Sequence, residues 1–120
     1  MSQVSELIPE VRADLEQKFY LVSADVDDIE LANKLAKTVL KDVYNTQIAW
    51  NEDYIKICNR RIKALESEPN PYKNNLDEVV NWSHFEGWHK GGITTHKARK
   101  NSHEDEITRL KNKLSLIDLI

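Results

Sequence analysis

All four histidines (His84, His89, His96 and His103), all three glycines (Gly87, Gly91 and Gly92) and two of the three tryptophans (Trp82 and Trp88) lie between residues 82 and 103 of a 120-residue chain. Imidazole is the commonest metal-binding side chain and a proton carrier near neutral pH, so chemistry, if there is any, would sit here. The spacings speak against a metal: His84 to His89 is five residues and the next two intervals are seven each. Neither an i,i+4 pair on one helix nor the short paired spacing of structural zinc sites is present. Glu86 and His89 have the Glu-x-x-His spacing of di-iron bundle helices, which needs a second copy on another helix. No metal and no cofactor is expected.

Catalysis has no better support. Glu86 and His89 could form an acid-base pair, but such pairs arise by chance in any charged protein. The His-Lys-Gly-Gly run at 89–92 is not a phosphate-binding P-loop, and no nucleophile elbow occurs. Cys58, the only cysteine, falls on an apolar helical face and reads as a small core residue. A lone cysteine also excludes an intrachain disulfide and fits a reducing, cytoplasmic setting. The chain reads as a non-enzyme.

Recognition of an anion is the stronger chemical reading of the same segment. Residues 84–103 hold Lys90, Lys97, Arg99 and Lys100 against Glu86 alone, a balance of +3, whereas residues 1–83 carry ten Lys/Arg against fifteen Asp/Glu, a balance of −5. Lys90, Gly91, Gly92, His96, Lys97, Arg99 and Lys100, with Thr94, Thr95 and Asn101 among them, combine glycine-exposed backbone N–H groups with cationic and hydroxyl donors, the groups that contact phosphates. Trp82, Phe85 and Trp88 could supply a stacking surface or anchor a helix to the core. The net charge of −3 argues against a surface built throughout to grip nucleic acid.

The elements that must hold this segment are helical. From Glu10 to Glu68 there is no Gly or Pro, and apolar residues recur at three- and four-residue intervals. Val4, Leu7, Ile8, Val11, Leu15 and Phe19 mark a first helix, with Ser5 as its expected cap and Pro9 in its first turn. Asp25, Asp27, Asp28 and Glu30 read as an acidic helix start, not a calcium loop, because the Gly and the late bidentate Glu are missing. A second helix buries Ile29, Ala32, Leu35, Ala36, Val39, Leu40 and Val43. A third repeats Trp50, Tyr54, Ile57, Cys58, Ile62 and Leu65, with Asn45 and Thr46 either capping it or lying inside one rod.

Pro69 to Asn75 reads as a linker, followed by an Asn75/Glu78 capping pair, a short helix ending at Gly87, and a basic loop. Ser102 and Asp105 predict the cap of a final helix, in which Ile107, Leu110, Leu114 and Ile117 repeat at 3-4-3 spacing and Ile120 extends an apolar tail that docks on its own core, the favoured case, or on a partner's. The fold class is therefore all-α: one domain over 1–120 built as a small bundle of four or five helices, with a body over 1–68, a linker over 69–75, and an irregular Gly/His-rich basic loop before the C-terminal helix. No stretch approaches the roughly 20 apolar residues needed to cross a bilayer, so no membrane partner is expected.

The Val26-Asp27-Asp28-Ile29 opening and the Ala/Leu pattern after it resemble, over about twenty residues, a helix of the head-to-tail connector proteins of tailed viruses. That resemblance implies assembly and carries over no functional residue. The sequence thus predicts a protein-protein interaction or assembly module, homo-oligomeric or part of a larger viral-type assembly, with Ile107, Leu110, Leu114, Ile117 and Ile120 as the partner-binding side chains. The alternative is a small nucleic-acid-binding regulator that uses the basic loop, or a nucleic-acid mimic that uses the acidic body.

Overall fold

The computed structural model describes residues 4–69 and 79–120, with the side chains of residues 4, 5 and 79–82 left out of account. The protein is all-α. A 3-10 turn at Val4–Leu7 leads into α1 (Ile8–Ser23), followed by α2 (Ile29–Ser67) and α3 (Val79–Ile117). Among the described residues there are three α-helices, not four or five, and no strand. Of the two readings open at Asn45–Thr46, the single rod is the one found, and the loop expected over 84–103 is helix instead. The linker beyond Pro69 and the Asn75/Glu78 capping pair lie outside the described residues.

Local chemistry explains the ends. Asp28 caps α2: its Oδ1 accepts from the backbone N–H groups of Glu30 at 3.0 Å and Leu31 at 3.2 Å, and Glu30 adds negative charge to the first turn. Pro9 takes the start of α1, where its missing N–H costs nothing, but Ser5 is not the cap, because Leu7 holds that position without a side-chain bond. α2 stops two residues before Pro69.

The persistence of α2 and α3 has a common cause. In α2 the positions Tyr44, Ile48, Asn51, Ile55, Cys58, Ile62 and Leu65 follow alternating steps of four and three residues, and each is buried or half-buried. A seam in phase through Asn45 and Thr46 keeps the helix intact, since packing of one face outweighs the weak cap preference of Asn or Thr. In α3 the same alternation runs without a slip through His89, Ile93, His96, Lys100, His103, Ile107, Leu110, Leu114 and Ile117, again all buried or half-buried. The heptad of the C-terminal helix thus extends back through the histidines. Gly87 and Ser102 consequently lie inside α3, as neither its exit nor a cap.

Two compact units result, Met1–Asn51 with Asp105–Ile120, and Glu52–Glu104. In the first, α1, the start of α2 and the end of α3 enclose Val11, Leu40, Tyr44, Ile48, Leu110, Leu116 and Ile117, with Leu7, Ile8, Leu15, Val43, Ile107, Leu114 and Ile120 packed against them. α2 and α3 run antiparallel there, as the Lys41–Asp118 pair at 2.9 Å and the Tyr44–Lys113 contact show.

One polar group enters this core. Lys113, 4% exposed, donates to Glu10 and to Asp14, both at 3.0 Å, and its Nζ lies 4.6 Å from the centre of the Tyr44 ring. The Tyr44 hydroxyl donates to Asp14 at 2.6 Å, and Arg109 bridges Glu10 and Glu106. No buried side-chain N or O among the described residues lacks a partner. Two rows at i,i+4 spacing thus meet, Glu10 and Asp14 on α1 against Arg109 and Lys113 on α3, and fix the register of one helix on the other.

Burial disfavours the charged form of both carboxylates but is outweighed. Hydrogen bonds and charge from Arg109 and Lys113 hold Glu10 below the usual carboxylate range, and Tyr44 with Lys113 does the same for Asp14. Burial, then the bond to Asp14, pushes the Tyr44 phenol far up. A depressed folded-state value means stability that is present above the unfolded values of about 4.3 and 3.9 and lost as pH falls through the folded ones. Denaturant titrations between pH 7 and pH 3 are expected to show stability falling below about pH 4.5, and the Glu10→Gln/Asp14→Asn double variant should show a shallower fall. An identical slope in the variant would remove these carboxylates as the cause.

Candidate functional site

Within the second unit α2 and α3 again run antiparallel: Leu65 meets His89 and Gly92, and Tyr54 meets His103. The ring of His103 stacks on Tyr54 at 5.1 Å and 8°, and that of His89 stacks on Phe85 at 5.4 Å and 17°. In the last turn of α2, His89 Nε2 also bonds the Leu65 carbonyl, which accepts the Glu68 N–H at 3.2 Å as well. Gly92 lets the helices approach closely, since a Cβ there would stand 3.3 Å from Leu65 Cδ1.

His89, His96 and His103 are therefore seam residues, half-buried against α2, while His84 is exposed. Seven residues of helix separate neighbours by about 10.5 Å, far beyond what one ion with bonds of about 2 Å can span. Among the described residues no group of three His, Cys, Asp or Glu could hold a metal. Seven-residue spacing, uninformative for coordination, was the signal of the seam.

The basic segment is reshaped rather than lost. Inside a helix its N–H groups are committed to the preceding turn, and the Thr94 and Thr95 hydroxyls bond back to the carbonyls of Lys90 at 3.0 Å and Gly91 at 2.9 Å. The glycine-exposed N–H donors expected of a loop at Gly91 and Gly92 are thus withdrawn, because helix formation uses them. At 100° per residue Lys90, Lys97 and Lys100 fall within one side of α3, whereas Arg99 projects from the opposite side. His96 belongs to the seam. Trp88 is 66% exposed and tilted against Phe85 at 6.2 Å.

Lys97, Lys100 and Asn101 line a half-open groove of about 430 Å³, whose α2 side is formed by Asn59, Lys63 and Glu66 over Ile62. Three ammonium groups and one carboxylate leave a formal +2. No ion pair among the described residues involves any of the three lysines. Lys63 and Asn59 carry no such signal in the sequence, because only the antiparallel pairing of α2 with α3 brings them to Lys97, Lys100 and Asn101.

The five side chains expected to receive a partner occupy other ground. Leu110 and Ile117, 1% and 0% exposed, belong to the internal core, and Ile107, Leu114 and Ile120 pack on it. Apolar surface is instead available on α2, where Leu31, Leu35 and Val39, at four-residue spacing, are 46%, 38% and 39% exposed. Beside them runs a second exposed row, Lys34, Thr38 and Asp42. Neither Lys34 nor Asp42 is in an ion pair among the described residues. No helix among the described residues is long and apolar enough to cross a membrane. The chain matches no protein-family model, no curated protein and no solved structure.

Proposed function

We propose that the protein is a non-enzymatic assembly module that pairs with a second copy of itself through the exposed face of α2 in its first unit. The observation that carries this reading is the pair of parallel rows, Leu31-Leu35-Val39 and Lys34-Thr38-Asp42. The charged row reads plus, neutral, minus about Thr38. Two copies related by a two-fold axis and laid antiparallel therefore set Lys34 of each against Asp42 of the other, while the aliphatic rows meet beside them. A parallel pairing would oppose like charges.

Three partly exposed aliphatic side chains are a small part of the ~800 Å² per partner of a standard interface, so the dissociation constant should be weak, on the order of 0.1 mM. Sedimentation velocity over a concentration series is expected to show a reversible monomer-dimer equilibrium. Lys34→Asp or Asp42→Lys alone should weaken it about tenfold, since each places two like-charged pairs across the axis, and the double variant should restore it to within about twofold. A species that stays monomeric to millimolar concentration, or a double variant no better than the singles, would overturn the proposal.

A further inference from the structure

We propose that the groove of the second unit is a binding site for a phosphate monoester that carries a neighbouring hydroxyl group. Its volume, about 430 Å³, is that of a small-molecule site. Its charge suits the ligand: Lys63, Lys97 and Lys100 outnumber Glu66 by two, which balances a phosphate dianion. Lysine recognises phosphate as a point charge, and the side-chain amides of Asn59 and Asn101 add neutral donors at the same rim.

Glu66 decides between phosphate sources. A carboxylate repels a phosphodiester chain threading the groove, yet it is the acceptor a sugar or polyol hydroxyl needs beside a single bound phosphate. The cations are also too local for a strand: Arg99 points to the opposite side of α3, and Lys90 lies two helical turns before Lys97 and outside the groove. Nucleic-acid grooves instead track a backbone with successive cations and stacking platforms. Ile62, 8% exposed, forms an apolar floor against which the carbon skeleton of the ligand can rest.

The site does not depend on self-association, since none of its residues belongs to the α2 face used there. The test is amide and side-chain NMR of the full chain titrated with ribose 5-phosphate, inorganic phosphate, ribose, and a single-stranded oligonucleotide lacking terminal phosphates. Saturable shifts at Lys63, Lys97, Lys100, Asn59 and Asn101 are expected with ribose 5-phosphate, weaker ones at the same residues with inorganic phosphate, and none with ribose. The Lys63→Gln/Lys97→Gln/Lys100→Gln variant, which removes the three charges while keeping most of the half-buried Lys100 stem, should bind at least about tenfold more weakly, and Glu66→Gln should bind inorganic phosphate about threefold more tightly. An oligonucleotide bearing a 5′-phosphate that reproduces the shifts supports the site and assigns its source to a nucleic-acid end. Absence of saturable shifts at 20 mM ligand, binding indifferent to the lysine variant, or tight binding by the unphosphorylated oligonucleotide through the same lysines would overturn the proposal.

Discussion

Replacement of Leu110 by alanine is expected to lower stability by about 3 kcal/mol and the thermal midpoint by about 10 °C. Leu110 is 1% exposed and lies in the cluster with Leu40, Tyr44 and Ile117, where α1, α2 and α3 all contribute. The lost transfer energy of the deleted carbons is increased by a cavity that three helices cannot all close at once. Leu119, two residues past the end of α3 and 79% exposed, provides the control: Leu119→Ala should change stability by less than about 0.5 kcal/mol. Equal effects at the two positions, measured by urea denaturation, would contradict the packing described.

The second large effect is expected at Lys113. Removing one partner of a buried ion network leaves the other charges under-compensated, at about 3–5 kcal/mol when they are fully enclosed. Here the Glu10 and Asp14 side chains keep 40% and 34% of their exposure and can regain water, so Lys113→Met should cost only about 2 kcal/mol. The same substitution made in a Glu10→Gln/Asp14→Asn background should cost less than half as much, because no carboxylate then remains to be stranded. A double-mutant cycle by denaturant unfolding measures the coupling. Strict additivity would mean that Lys113 acts through its aliphatic stem and its contact with Tyr44, not through its charge.

These two positions also separate what can be read along the chain from what cannot. The helical class, the Asp28 start, the place of Pro9 in the first turn and the inward register of Leu110 and Ile117 follow from local spacing and capping chemistry. The segment 84–103 reads as a loop when each residue is weighed singly. Gly87, Gly91 and Gly92 each cost a helix about 1 kcal/mol relative to Ala, and histidine is a mediocre helix former. Their phase carried the opposite message: His89, His96 and His103 continue the heptad of Leu110 and Ile117. A polar residue at a seam position hides the seam from a search for apolar periodicity. The acid and base rows at Glu10, Asp14, Arg109 and Lys113 were likewise visible at i,i+4 spacing, but nothing local to either helix indicates that one faces the other.

The sequence by itself determined that this chain is helical, that its tail carries an apolar stripe, and that its positive charge gathers between residues 84 and 103, since propensity, periodicity and composition are properties of neighbours. Only the tertiary structure decided that the apolar tail packs on its own chain, that Leu31, Leu35 and Val39 stay at the surface, and that Lys63 joins Lys97 and Lys100. Those outcomes depend on which helix faces pair, and pairing is set by the summed burial of many side chains far apart in sequence, a quantity that no single window of residues contains.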